Sequence, residues 1–133
     1  HRLVSVVRYT RLAEEAVMDK IYEQTMLFDF YGELLTEHQR QIYEDAVYND
    51  LSLGEIAEEQ GISRQGVHDL IKRCDRILQD YENKLHLIER FAKAKQTVRQ
   101  IQQLADQQDH GGRDVSVTLR QISGLSNELL KEL

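Results

Sequence analysis

The sequence predicts an all-α protein centred on a helix-turn-helix and flanked by long helices, and three observations carry that prediction. Its 133 residues contain no proline, the residue that most reliably stops or kinks a helix, so long uninterrupted helices are permitted throughout. Apolar residues recur at three- and four-residue intervals over most of the chain. Residues 52–78 combine two helix-capping serines, an intervening glycine and a short apolar core, the layout of two helices joined by a tight turn.

At the start, residues 1–10 carry a β-branched run that does not follow helical spacing, and Met18 stands where a translation start would suit the helical remainder of the chain. Residues 1–17 are therefore expected to be an N-terminal extension, natural or added. Over residues 12–35, Ala13, Val17, Ile21, Phe28, Tyr31 and Leu35 form a helical stripe, widened by Tyr22, Leu27 and Leu34. Thr36-Glu37-His38-Gln39 has the capping-box form, in which the hydroxyl accepts an orphan backbone N–H and Gln39 reaches back. A helix is expected from there to about Tyr48, burying Ile42, Tyr43, Ala46 and Val47. Asn49-Asp50 signals a turn, and Ser52-Leu53-Gly54-Glu55 is a second capping box. It opens a short helix over 53–60 with Leu53, Ile56 and Ala57 inward.

Gly61 supplies the left-handed backbone that a tight helix exit needs, and Ser63 caps the next helix. Val67, Leu70, Ile71, Cys74, Ile77 and Leu78 define the inner face of that helix. Ile56, Ile62, Val67 and Ile71 are expected to form the shared core, with small Ala57 where the helices cross. The stripe continues through Tyr81, Leu85, Ile88, Phe91, Ala92, Val98, Ile101 and Leu104. A break is expected near residues 81–83, because so long a stripe must fold back to be buried. Beyond His110-Gly111-Gly112, Leu119, Ile122, Leu125, Leu129 and Leu133 predict a last helix paired with the preceding one. The division that results is an extension (1–17), a helix-turn-helix core domain (18–92) and a C-terminal helical extension (93–133).

Composition narrows the function. The single cysteine, Cys74, excludes an internal disulfide and a cysteine-rich zinc site, which points to a reducing, cytoplasmic setting. No apolar run approaches the roughly 20 residues that span a bilayer, so no membrane insertion is expected. His1, His38, His68, His86 and His110 are too scattered for metal-ligand spacing. There is no glycine-rich phosphate loop and no nucleophile motif, so neither an enzyme nor a cofactor is expected. Cys74, on the apolar face of its helix, reads as a core residue.

Charge distribution is more informative than the net charge of -6. Residues 36–60 hold one Arg against seven acidic residues, whereas residues 61–76 hold four basic residues against two acidic ones. The basic stretch at 61–76 thus coincides with the second helix of the motif. Its outward side chains are Ser63, Arg64, Gln65, His68, Asp69, Lys72, Arg73 and Arg76. In such motifs the start of the second helix enters the major groove, where Arg can bond guanine and Gln adenine. Arg64, Gln65 and His68 are accordingly expected to face bases, and Ser63, Lys72, Arg73 and Arg76 the backbone. The alternative is a helix-turn-helix kept as a protein-docking fold, in which acidic residues 36–60 bind a basic partner. The C-terminal stripe adds a candidate dimer surface, since two-fold symmetric sites need two copies.

The stretch from Gln24 through His86 resembles the YlxM family of bacterial helix-turn-helix proteins. The strongest matches are Phe28-Asp-Phe-Tyr31, Leu34-Leu-Thr36, Ser52-Leu-Gly-Glu-Ile-Ala-Glu58, Gly61-Ile-Ser-Arg-Gln65 and Ile71-Lys-Arg73. That family is similar to region four of sigma factors, so the resemblance implies a winged-helix-like or sigma region-four-like tri-helical core. It also implies a cytoplasmic bacterial regulator of the signal recognition particle pathway, acting on DNA, on the particle's RNA or on its GTPase. Gly66, where the resemblance implies Ala, lowers helix propensity by about 1 kcal/mol.

Overall fold

The computed structural model describes residues 2–109, 111 and 114–133. Among them the secondary structure is helical: α1 (Arg2–Tyr31), a 3-10 turn (Gly32–Leu34), α2 (Glu37–Val47), α3 (Leu53–Gln60), α4 (Arg64–Leu85), α5 (Leu87–Asp109) and α6 (Val115–Glu132). The chain forms two compact units that divide between Leu85 and His86.

In the first unit, both expected capping boxes are present. Thr36 accepts from the Gln39 N–H while the Gln39 side chain accepts from the Thr36 N–H, and Ser52 and Glu55 do the same for α3. The helices these caps start bury one apolar face each, and α2, α3 and α4 close on Ile42, Ile56, Ala57 and Val67. Leu53, Leu70 and Ile71 pack around that centre. Each fully buried aliphatic side chain contributes about 1.5–3 kcal/mol relative to exposure, so this small cluster is enough to fix the motif's angle.

The C-terminal half of α1 seals the other side, where Leu27, Tyr31, Leu35, Tyr43, Cys74 and Leu78 are buried. Their polar ends are matched in pairs. Asp75 accepts from the Tyr43 hydroxyl at 2.6 Å and from Gln24 Nε2 at 3.1 Å, and Glu82 accepts from the Tyr31 hydroxyl at 2.5 Å. The Phe28 ring stacks on Tyr43 with centroids 5.7 Å apart. Gly32 fits beside that ring because any Cβ there would lie 3.0 Å from its carbons.

Four sequence expectations change. Residues 2–10 belong to α1, since β-branched residues cost a helix only tenths of a kcal/mol each and no proline intervenes. Ile62 is not a core residue: it follows Gly61 on the outside of the turn and stays 38% exposed. In α1 the expected stripe is buried only from Leu27 onward, and Val17, Ile21, Tyr22 and also Leu34 are exposed. The helix break falls at His86, whose backbone adopts φ 55, and not near residues 81–83. The side chain of Ala13, together with His1, His110 and Gly112, lies outside the described residues.

The second unit is a pair of helices. Asp114 caps α6 by accepting from the Ser116 hydroxyl at 2.7 Å and from the Ser116 N–H at 2.8 Å, and these bonds, the hydroxyl's first, hold its carboxyl below the usual range. Thr118 is buried and donates to Gln108 Oε1 at 2.8 Å, tying the start of α6 to the end of α5. Ile122, Leu125 and Leu129 are half-buried, while Leu119 and Leu133 of the predicted stripe are exposed.

Candidate nucleic-acid interface

The turn between α3 and α4 is built from three local devices. Ser52 fixes where α3 begins. Gly61 ends it in the left-handed region, at φ 67 and ψ 30, where a side chain costs about 1–2 kcal/mol. Ser63 then starts α4 by accepting from the Gly66 N–H at 2.9 Å. The Ser63 hydroxyl is therefore already engaged by its own helix.

Helical spacing sets Gln65, Asp69, Lys72 and Arg76 in one row on the outer face of α4. All four are exposed, as is Arg73 beside them. Gln65 Nε2 donates to Asp69 Oδ1 at 3.0 Å, which orients the amide. Among the described residues no carboxylate lies within ion-pair distance of Lys72, Arg73 or Arg76. These three cations therefore face outward without an ion-pair partner among the described residues.

Arg64 and His68 sit a quarter-turn or so from that row. The Arg64 guanidinium lies over Gly54 in the first turn of α3: a Cβ at Gly54 would come within 3.2 Å of both Nε and Nη2. His68 is half-buried, and its Nδ1 is shielded without a hydrogen-bond partner, 3.7 Å from Asp69 Oδ1. Of the seven residues expected to form the site, the structure thus gathers Gln65, Lys72, Arg73 and Arg76 on one exposed face. It turns Arg64 back toward α3, occupies Ser63 in capping, and half-covers His68.

Gly54 and the Asp75 and Glu82 pairs were missed from the sequence. Asp75 and Glu82 are seven residues apart, on one flank of α4 and next to its apolar face, and that spacing was the available signal. Behind the interface, Cys74 is buried and its thiol is pushed up to about 11, by burial first and then by the Asp75 charge. Phe30 is half-buried, with its ring centroid 6.3 Å from that of Tyr31. Among the described residues no three His, Cys, Asp or Glu side chains group to hold a metal ion, and no helix is long and apolar enough to cross a membrane.

Residues 18–116 match the model of the family UPF0122, described as "Putative helix-turn-helix protein, YlxM / p13 like". UPF0122 proteins of Bacillus thuringiensis (strain Al Hakam) and Bacillus mycoides (strain KBAB4) are each 38% identical over 109 residues, covering 82% of this chain and 99% of the relative. The UPF0122 protein of Bacillus anthracis (strain A0248) matches with the same 38% identity and coverage.

Proposed function

Because the chain belongs to the UPF0122 family of YlxM/p13-like helix-turn-helix proteins, we propose that it is a cytoplasmic nucleic-acid-binding regulator and not an enzyme. The observation that carries this reading is the row of exposed, unpaired cations on α4, Lys72, Arg73 and Arg76, in a chain whose net charge is -6. An acidic protein gains nothing from unspecific attraction to phosphate, so a local cationic face on the helix that enters the groove is what such a binder needs. Lys72, Arg73 and Arg76 contact the sugar-phosphate backbone. Gln65, held by Asp69, reaches base edges with His68 beside it.

Arg64 takes a different role from the base contact expected of it. Lying over the first turn of α3, it faces the place where the first helix of such a motif crosses the backbone, and it contacts phosphate there. Ser63 contributes through the α4 cap. Two copies of the chain present two α4 helices to a two-fold site. The resemblance to the YlxM family directs the reading to DNA or the signal recognition particle RNA as ligand, within that targeting pathway.

The test is fluorescence anisotropy of Lys72→Glu/Arg76→Glu against a labelled DNA duplex and against the transcribed particle RNA. Losing two phosphate contacts and gaining two repulsions weakens binding at least about tenfold for the true ligand. Unchanged affinity for both sinks the proposal. A second reading rests on the exposed acids Glu37, Glu44, Asp50, Glu55, Glu58 and Glu59, which suit a basic protein such as the particle GTPase. It predicts that the same variant keeps full affinity for the isolated GTPase.

A further inference from the structure

The second unit is an antiparallel helix pair without a finished core. Among the described residues it buries no apolar side chain: Ile101 and Leu104 of α5 and Ile122, Leu125 and Leu129 of α6 are only half-covered. Its two sides differ in chemistry. On one, the groove between the helices is lined mostly by polar side chains, among them Gln100, Gln103, Gln107, Gln121 and Glu128, which water can satisfy. On the other, helical spacing gathers Val98, Gln102 and Ala105 of α5 with Leu119, Ser126 and Leu133 of α6. All of these but Ser126 are exposed, Val98 by 51% and Leu119 by 59%.

Charge identifies what covers this second side. Arg99 and Asp106 follow Val98 and Ala105 by one position each, so both lie along the same outer edge of the face. They stand about 10 Å apart along the helix, too far to pair with each other. Both are exposed, and neither forms an ion pair among the described residues. Asp106 sits in the last turn of α5, where the helix dipole disfavours an acid. A second α5 laid antiparallel on this face, with Gln102 meeting its own copy, sets Arg99 against Asp106 of the second copy and Asp106 against its Arg99. The same register seats Val98 on the small Ala105 of the second copy, and does so twice. It does not use Phe91 or Lys95, which engage each other at 6.0 Å.

One axis serves both helices. Gln108 accepts from Thr118 across the pair, and stepping six residues back along α5 and six on along α6 puts Gln102 level with Gly124, about 3 Å from Ser126. A two-fold axis through Gln102 therefore passes close to Ser126 and brings Leu119 to Leu133 of the second copy on either side of that small residue. We infer that two copies join through this face, α5 on α5 and α6 on α6, both antiparallel, as a four-helix bundle whose core is complete only in the pair. The contact lies wholly within the second units, and its two-fold symmetry makes it closed and self-limiting. The inference deepens the two-copy reading above and rests on it.

Sedimentation velocity on the full chain at tens of micromolar tests it. Wild type sediments as a dimer. Arg99→Asp sets acid against acid twice, and Asp106→Arg sets base against base twice. Each raises the dissociation constant at least about tenfold, with helical circular dichroism unchanged because both side chains are exposed. Arg99→Asp/Asp106→Arg restores opposite charges at both contacts and sediments as a dimer again. A wild-type dimer that ignores both single reversals overturns this pairing and leaves the two-copy reading standing, as does a double variant that stays monomeric while wild type is dimeric. A monomeric wild type overturns both.

Discussion

At the scale of single residues, two side chains make sharp predictions. Gly54 leaves room for the Arg64 guanidinium, and the atoms a new methyl group would meet, Nε and Nη2, are the far end of a flexible side chain. Gly54→Ala should therefore displace Arg64 without harming the fold. Its melting temperature should equal or exceed that of wild type, because alanine favours the helix by up to about 1 kcal/mol. Its affinity for nucleic acid should fall less than that of Arg64→Ala, because the guanidinium is shifted by a few tenths of an ångström and not removed.

Cys74 makes a pH prediction. Its thiol is raised to about 11 from an ordinary value near 9, so the neutral form is preferred in the folded state. The stability this contributes is complete below pH 9 and is lost as pH rises toward 11, by an amount on the order of 2–3 kcal/mol. Tyr43, raised by burial and by its bond to Asp75, loses stability in the same direction above pH 10. Urea unfolding between pH 8 and 10 should show a shallower decline in Cys74→Ala than in wild type, although the variant starts less stable. Equal slopes would contradict the assignment.

Elements were legible where their signals are local. Thr36 with Gln39 and Ser52 with Glu55 each encode a helix start within four residues, and both form as read. Gly61 encodes the turn for the same reason. Gly61→Ala should lower stability by about 1–2 kcal/mol in urea unfolding, because its φ of 67 is unfavourable for any residue with a side chain. Signals that depend on tertiary context were not legible. His86 breaks the helix in a left-handed conformation that nothing in its residue type demands. In α1 the exposed Val17, Ile21 and Tyr22 lie on the same regular apolar stripe as the buried Leu27 and Tyr31, so periodicity alone could not separate them. Asp75 reads as a surface acid until Tyr43 and Gln24 are seen to converge on it. For the site, the sequence identified the outward residues of α4 but not the direction of Arg64, which depends on a glycine ten residues earlier in a different helix.

At the scale of the whole molecule, an acidic chain presents Lys72, Arg73 and Arg76 together on the outer face of α4, and binding through that face must be electrostatic in a countable way. Asp75→Ala separates this face from the scaffold behind it. It removes the acceptor shared by Tyr43 and Gln24 and should destabilise the first unit by about 1–3 kcal/mol in urea unfolding, while leaving the outer row of α4 intact. The most direct test of nucleic-acid binding by α4 is the salt dependence of wild-type affinity for a DNA duplex and for the signal recognition particle RNA, measured between 50 and 200 mM salt. Contacts from Arg64, Lys72, Arg73 and Arg76 predict that the logarithm of affinity falls against the logarithm of salt with a slope of about -3 to -4 on duplex DNA, and somewhat less on single-stranded RNA. A slope near zero on both, or no binding to either at 50 mM, would contradict it.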